Sequence, residues 1–261
     1  MRDTKPTAAT IPALLFAIAT GGIAFTAIAD DDERDPAAEA LVKKMSDYMG
    51  GLSSFSADAA VVDEMIMGDG LKLTALRSGA FRLRRPDHFY MARKGAVRDQ
   101  EVFYDGKRFT VLAKNAGVVV ELPAEGDVDV ALDRATELLG AELPGRDLLS
   151  VDAYTPLMEP VTESAALGLV DIDGRSCRHL VFRTDEVDWQ LWVEEGERPL
   201  PCRYTITSKW TYAAPQYSVT FSNWAVDPEL ADDVFSATTP EGMQSVTPEE
   251  LRKKIEEEAA K

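Results

Sequence analysis

Histidine and cysteine are almost missing from this chain: two of each in 261 residues. Two cysteines are too few for a disulfide framework or a four-thiolate zinc site. The histidines, His88 and His179, belong to no His-Glu-x-x-His spacing, so no metal site is expected. The chain also lacks a Gly-x-Ser-x-Gly elbow, a phosphate-cradling P-loop and a Gly-x-Gly-x-x-Gly turn. Positive charge is scarce, with 28 basic against 45 acidic side chains and a net charge of −17. Such a balance excludes a nucleic-acid partner, because phosphate backbones demand Lys/Arg patches, and it disfavours electrostatic docking on anionic membranes. Among that many acids, a carboxylate pair of hydrolase type carries no information. The remaining nucleophile pattern is Cys177 and His179 on one side of a strand. A small apolar cysteine beside a hydrogen-bonded histidine explains it better. No catalytic residue and no cofactor are therefore expected.

What the chain has is apolar material, 45% of its residues, enough for a substantial core. The N-terminus spends some of it on an address. Arg2 and Lys5 form a modest positive region, an apolar stretch runs from Ile11 to Ile28, and Ala27-Ile28-Ala29 supplies the small residues that a signal peptidase reads. Residues 1–29 are thus expected to be a cleaved signal peptide, with cleavage after Ala29. No later stretch reaches the roughly 18 uninterrupted apolar residues of a membrane span. The mature product is expected to be an acidic, exported domain over residues 30–245, followed by a C-terminal helix over 246–261.

Within that domain, Leu41, Val42, Met45, Tyr48 and Met49 form a helical stripe behind Pro36, stopped by Gly50-Gly51. Turn signals then recur at Gly68-Asp69-Gly70, Asp105-Gly106, Asn115-Ala116-Gly117, Asp173-Gly174 and Glu195-Gly196. They divide the chain into about ten or eleven strands joined by tight turns, hence antiparallel. A helical insertion at Val128–Leu139 interrupts the meander. Thr247-Pro248-Glu249-Glu250 opens a last helix with only Leu251 and Ile255 as apolar face, which is expected to hang at the domain's edge or fray. Period-two alternation marks Phe81/Leu83, Phe89/Met91, Phe109/Val111, Trp189/Leu191 and Tyr204/Ile206 as sharing faces of their strands. A sheet of this size must twist and curl, so its concave side either encloses a cavity or is filled by side chains.

Export makes a Cys177–Cys202 bridge thinkable. However, the strand 187–194 lies between the two cysteine strands. Two strand spacings separate Cα atoms by roughly 9–10 Å, so free thiols are expected.

The order of short motifs resembles the LolA/LolB-type lipoprotein-carrier superfamily, and within it an uncharacterised bacterial periplasmic family. The motifs are Leu52-Ser53-Ser54-Phe55, Phe81-Arg82-Leu83-Arg84-Arg85-Pro86-Asp87, Tyr104-Asp105-Gly106-Lys107, Cys177-Arg178-His179-Leu180, Asp188-Trp189-Gln190-Leu191-Trp192-Val193 and Phe221-Ser222-Asn223-Trp224. The resemblance implies an α+β fold: a strongly curved antiparallel sheet, an unclosed half-barrel, with helices covering the concave face. It also implies a periplasmic, non-enzymatic protein holding a hydrophobic small molecule or an acylated protein in its hollow, with the helices at 37–50 and 127–139 as lids. The expected lining is Phe81, Leu83, Phe89, Met91, Phe109, Val111, Trp189, Leu191, Tyr204 and Ile206. The alternative is a structural or sensory module with a filled hollow that meets other envelope proteins.

Overall fold

A computed structural model describes residues 33–96, 99–139 and 145–259, so the expected leader and its cleavage site lie outside the described residues. The first element is helix α1, Pro36–Gly51. Asp35 caps it, its Oδ1 accepting from the Ala37 N–H at 2.8 Å, with proline in the first turn, where its missing N–H costs nothing. Ala38, Val42, Met45 and Met49, spaced by three or four, are buried on one face.

The strands follow in two meanders. β1 (Ser54–Ile66), β2 (Lys72–Arg84), β3 (His88–Gly95), β4 (Asp99–Tyr104), β5 (Arg108–Ala113) and β6 (Val118–Pro123) form the first. β7 (Glu163–Ile172), β8 (Arg175–Arg183), β9 (Val187–Glu194), β10 (Pro201–Ser208) and β11 (Gln216–Val226) form the second. Between them lie α2 (Val128–Leu139), a short helical turn at Arg146–Leu149 and α3 (Tyr154–Met158). β1 pairs with β11 from Phe55↔Val226 to Asp63↔Tyr217, which fuses the meanders into one open, curved sheet whose outer strands stay unjoined. The fold is α+β. The helices and the apolar faces of the strands contribute to a single buried core.

Three expectations change. Among the described residues the sheet has twelve strands, not ten or eleven, and is not wholly antiparallel. β12, Gln244–Ser245, pairs parallel with β6, placing the Gln244 and Val246 N–H groups on the Gly117 and Val119 carbonyls at 2.9 and 3.0 Å. A two-residue strand is too short to show any period. The last helix, α4 (Pro248–Ala259), is not loosely hung either: Leu251 is fully buried, and α4 packs on α2 and β6. A reciprocal capping box holds its start, with the Thr247 N–H on Glu250 Oε2 at 2.8 Å and the Glu250 N–H on Thr247 Oγ1 at 3.3 Å.

The third correction concerns the cysteines. Cys177 and Cys202 are not free thiols; they form a disulfide with Cα atoms 6.6 Å apart. β9 does lie between their strands, but Cys177 is level with its last residue, Glu194. Cys202 falls in the register shift between Pro201 and Arg203. At this level β9 is leaving the sheet, and the bulge turns Cys202 toward β8, so two regular strand spacings no longer separate the pair. The bridge also removes Cys177 as a nucleophile.

Two glycines end α1, and they differ. A Cβ on Gly50 would lie 2.2 Å from the Val151 carbonyl oxygen, whereas one on Gly51 meets nothing within 4 Å. Gly50 therefore permits α1 to touch the segment before α3. Ser46 Oγ fastens the same contact by accepting from the Ala153 and Tyr154 N–H groups at 3.1 and 3.0 Å.

Gly50→Ala should lower stability by about 1–3 kcal/mol, while Gly51→Ala should be neutral or mildly stabilising, read from urea midpoints. Equal midpoints for the two variants would refute the contact. A bridge closing a separation of 25 residues should contribute about 3 kcal/mol. Adding reductant, or changing both cysteines to serine, should lower the midpoint accordingly.

Candidate ligand-binding groove

The ten residues expected to line the hollow all join the helix-covered core. Eight of them, including Leu83, Phe89, Phe109, Val111 and Leu191, are buried to within a few per cent of full closure; Met91 and Ile206 are partly buried against them. Trp189 stacks on Phe182 with ring centroids 3.8 Å apart and meets Tyr204 edge-on at 5.9 Å. At these ten positions, then, the described residues are packed core.

An opening persists at the centre of the sheet. It is floored by β1, β2, β3 and β11 and roofed by Leu132 of α2 and the turn carrying Arg146 and Leu149. Of the ten expected residues only Phe81 and Met91 line it. The others on its floor include Ala59, Val61, Gly79, Tyr217, Val219 and Phe221, joined by Arg93. The free space is about 80 Å³, and the wall is predominantly apolar.

Small side chains create this space. Ala59 lies opposite Gly79 across the β1–β2 ladder and opposite Phe221 on β11. A Cβ on Gly79 would come within 3.3 Å of the Ala92 carbonyl and 3.4 Å of the Ala59 Cβ, so the missing methyl lets the strands sit close. The inner end is closed by aromatic rings: Phe81 lies 6.1 Å from both Phe55 and Phe221 and 5.5 Å from Trp224. The outer end is polar. Arg93 pairs across from Gly79, and Arg77 pairs across from Val61. Arg77 makes a salt bridge with Asp63, and Arg146 Nη1 donates to Asp133 at 2.7 Å and to Thr136 at 3.1 Å.

Sequence periodicity selects large apolar side chains and so finds filled core. The groove opens where Ala59 faces Gly79 beside Phe81, Tyr217 and Phe221, and its signal in the sequence is two small residues on two long strands. Arg93 and Arg146 carry no motif. His88 and His179 are structural: His88 Nδ1 lies 2.8 Å from Asp87 Oδ1, and His179 stacks on Trp192 at 4.2 Å with Nε2 2.9 Å from Gln190 Oε1.

A family model described as "Predicted periplasmic protein (DUF2092)" matches residues 38–247. The chain belongs to this family. The family is thus one described as periplasmic, in line with the expected export. Among solved structures, the chain is similar to an uncharacterised conserved protein of Thermus thermophilus at 10% identity and TM-score 0.47, covering 80% of this chain and 98% of that one. It is similar to the lipoprotein LppX of Mycobacterium tuberculosis at 17% identity and TM-score 0.43, covering 73% and 96%. A LolA superfamily protein of Nitrosomonas europaea shares 14% identity at TM-score 0.38, covering 77% and 97%. No curated protein matches the chain.

Burial holds the hydroxyl of Tyr204 well above the ordinary tyrosine range and raises that of Tyr217, for which the nearby Arg93 and Arg77 partly offset the effect. The folded state therefore keeps protons that the unfolded chain releases near pH 10, so the contribution of these two tyrosines to stability should be constant below about pH 10 and be lost as pH rises beyond it. Denaturant midpoints across that range should show the fall, and Tyr204→Phe should flatten part of it. Midpoints unchanged by alkali would count against this account.

Proposed function

We propose that this protein is an exported periplasmic binding protein that holds a hydrophobic moiety, an acyl chain of a lipid or of an acylated protein, without transforming it. The observation that supports the reading is the apolar groove at the centre of the concave face. At about 80 Å³ it is smaller than the roughly 300–1,000 Å³ of small-molecule sites. Ligand entry therefore requires the roof, α2 and the turn at Arg146–Leu149, to move outward. Each methylene then buried contributes roughly 0.8 kcal/mol. Among the described residues no helix is long and apolar enough to cross a membrane, and the groove supplies the place where an acyl chain is sheltered instead.

A second reading has its own support. Trp210 and Tyr212 stand 76% and 74% exposed at the tip of the β10–β11 hairpin, as contact residues for another envelope protein. The hollow in that case is only core.

Native mass spectrometry of protein purified from periplasm without detergent, with lipid extraction, separates the two. A stoichiometric adduct of acyl-chain mass is expected. Ala59→Leu, which fills the groove, should abolish uptake of added fatty acid while leaving the melting temperature within a few degrees. A bare mass with no uptake of fatty acid or lipopeptide would reject the carrier reading.

A further inference from the structure

The groove's polar end carries information about the head of its ligand. The charged residues among its described lining are both arginines, Arg93 and Arg146. A third, Arg77, extends the same face of β2 two residues beyond Gly79, and its side chain is only 8% exposed. Its pairing with Asp63 leaves Nε buried without a hydrogen-bond partner. Gly95 makes room for it: a Cβ there would lie 2.8 Å from Arg77 Cγ. Arg146 pairs with Asp133 and, at 3.8 Å, with Asp147, whose side chains are 71% and 40% exposed. In a chain of net charge −17, arginines gathered at one end of an apolar groove run against the general field.

The guanidinium group suits this position. Its planar fork of donors matches the oxygens of a carboxylate or phosphate, and it stays charged when partly buried. A groove with an aromatic, closed inner end and a cationic outer end admits a molecule in one orientation, tail first.

Resting on the reading of the groove as an acyl-chain site, we propose that it selects single-chain amphiphiles with an anionic head, whose tail lies over Ala59, Gly79 and Phe81 and whose head oxygens meet Arg77, Arg93 and Arg146. Neutral chains of the same length lack the head-group bonds and bind more weakly. Carboxylate and phosphate heads offer the same oxygens to the arginines and differ in charge.

The test uses the delipidated full chain and displacement of a fluorescent probe by oleate, oleyl alcohol and oleoyl lysophosphatidic acid. Both anions should bind about tenfold or more tighter than the alcohol at low salt, a ratio that shrinks as salt rises. Comparing the two anions shows whether carboxylate or phosphate is preferred. The Arg93→Gln/Arg146→Gln variant should lose the ratio by losing anion affinity while keeping alcohol affinity, and Arg93→Lys/Arg146→Lys should retain part of it. The salt dependence of the unmodified protein tests the same idea should the glutamine variant misfold. Equal binding of anion and alcohol, or a ratio untouched by the glutamine variant, would overturn the head-group assignment and leave the groove reading intact. Failure of all three ligands to bind would overturn both.

Discussion

The pairing of β1 with β11 is the interaction on which the other parts depend. The two strands are about 160 residues apart in the chain, and among the described residues they form the only ladder joining the two meanders. Closing so long a loop costs conformational entropy, and the ladder offsets it with a run of backbone bonds and cross-strand side chains. One end of the seam is additionally clamped: Asp227 Oδ1 accepts from the Ser53 N–H at 3.0 Å, the Ser53 hydroxyl at 2.7 Å and the Ser54 N–H at 3.3 Å. These bonds hold its carboxyl below the usual carboxylate range. Without the seam, β2–β6 and β7–β10 would be separate half-sheets, each with an apolar face too wide for one helix to cover.

The seam also fixes where the groove can be. The helices cover the concave face from its two sides, α1 over β7 and β9, α2 and α4 over β3 and β6. The floor between them is built by β1, β2 and β11, the strands on and beside the seam. There Ala59 and Gly79 leave space beside Phe81, Tyr217 and Phe221, and among the described residues the roof is a short turn and one leucine of α2. Filled flanks and a shallow, unfilled centre follow from one arrangement. The flanks supply the stability that a groove lined by Ala59 and Gly79 gives up, since space without atoms forfeits dispersion contacts.

Much of this was legible in advance because the signals are local. The Asp173-Gly174 turn needs positive φ at both central positions, and the structure has φ of 52° and 76° there. The stripe of α1 and the alternation of β9 are equally local, for they depend only on whether a residue's neighbours at three, four or two positions are apolar. β12 was not legible, since two residues have no period. Regular strand spacing does not foretell the disulfide, because a bulge at Cys202 and the end of β9 break the regularity there.

The sequence by itself determined most element types, the antiparallel hairpins and which side chains share a face, because helical and strand periods and turn dihedrals are properties of neighbouring residues. The tertiary structure alone decided the fusion of two meanders at β1 and β11, the closing of the Cys177–Cys202 bridge and the placing of Arg93 and Arg146 in the lining of one apolar groove. Each of these depends on the distance between residues far apart in the chain, and that distance is set only when the sheet curls and the helices settle against it.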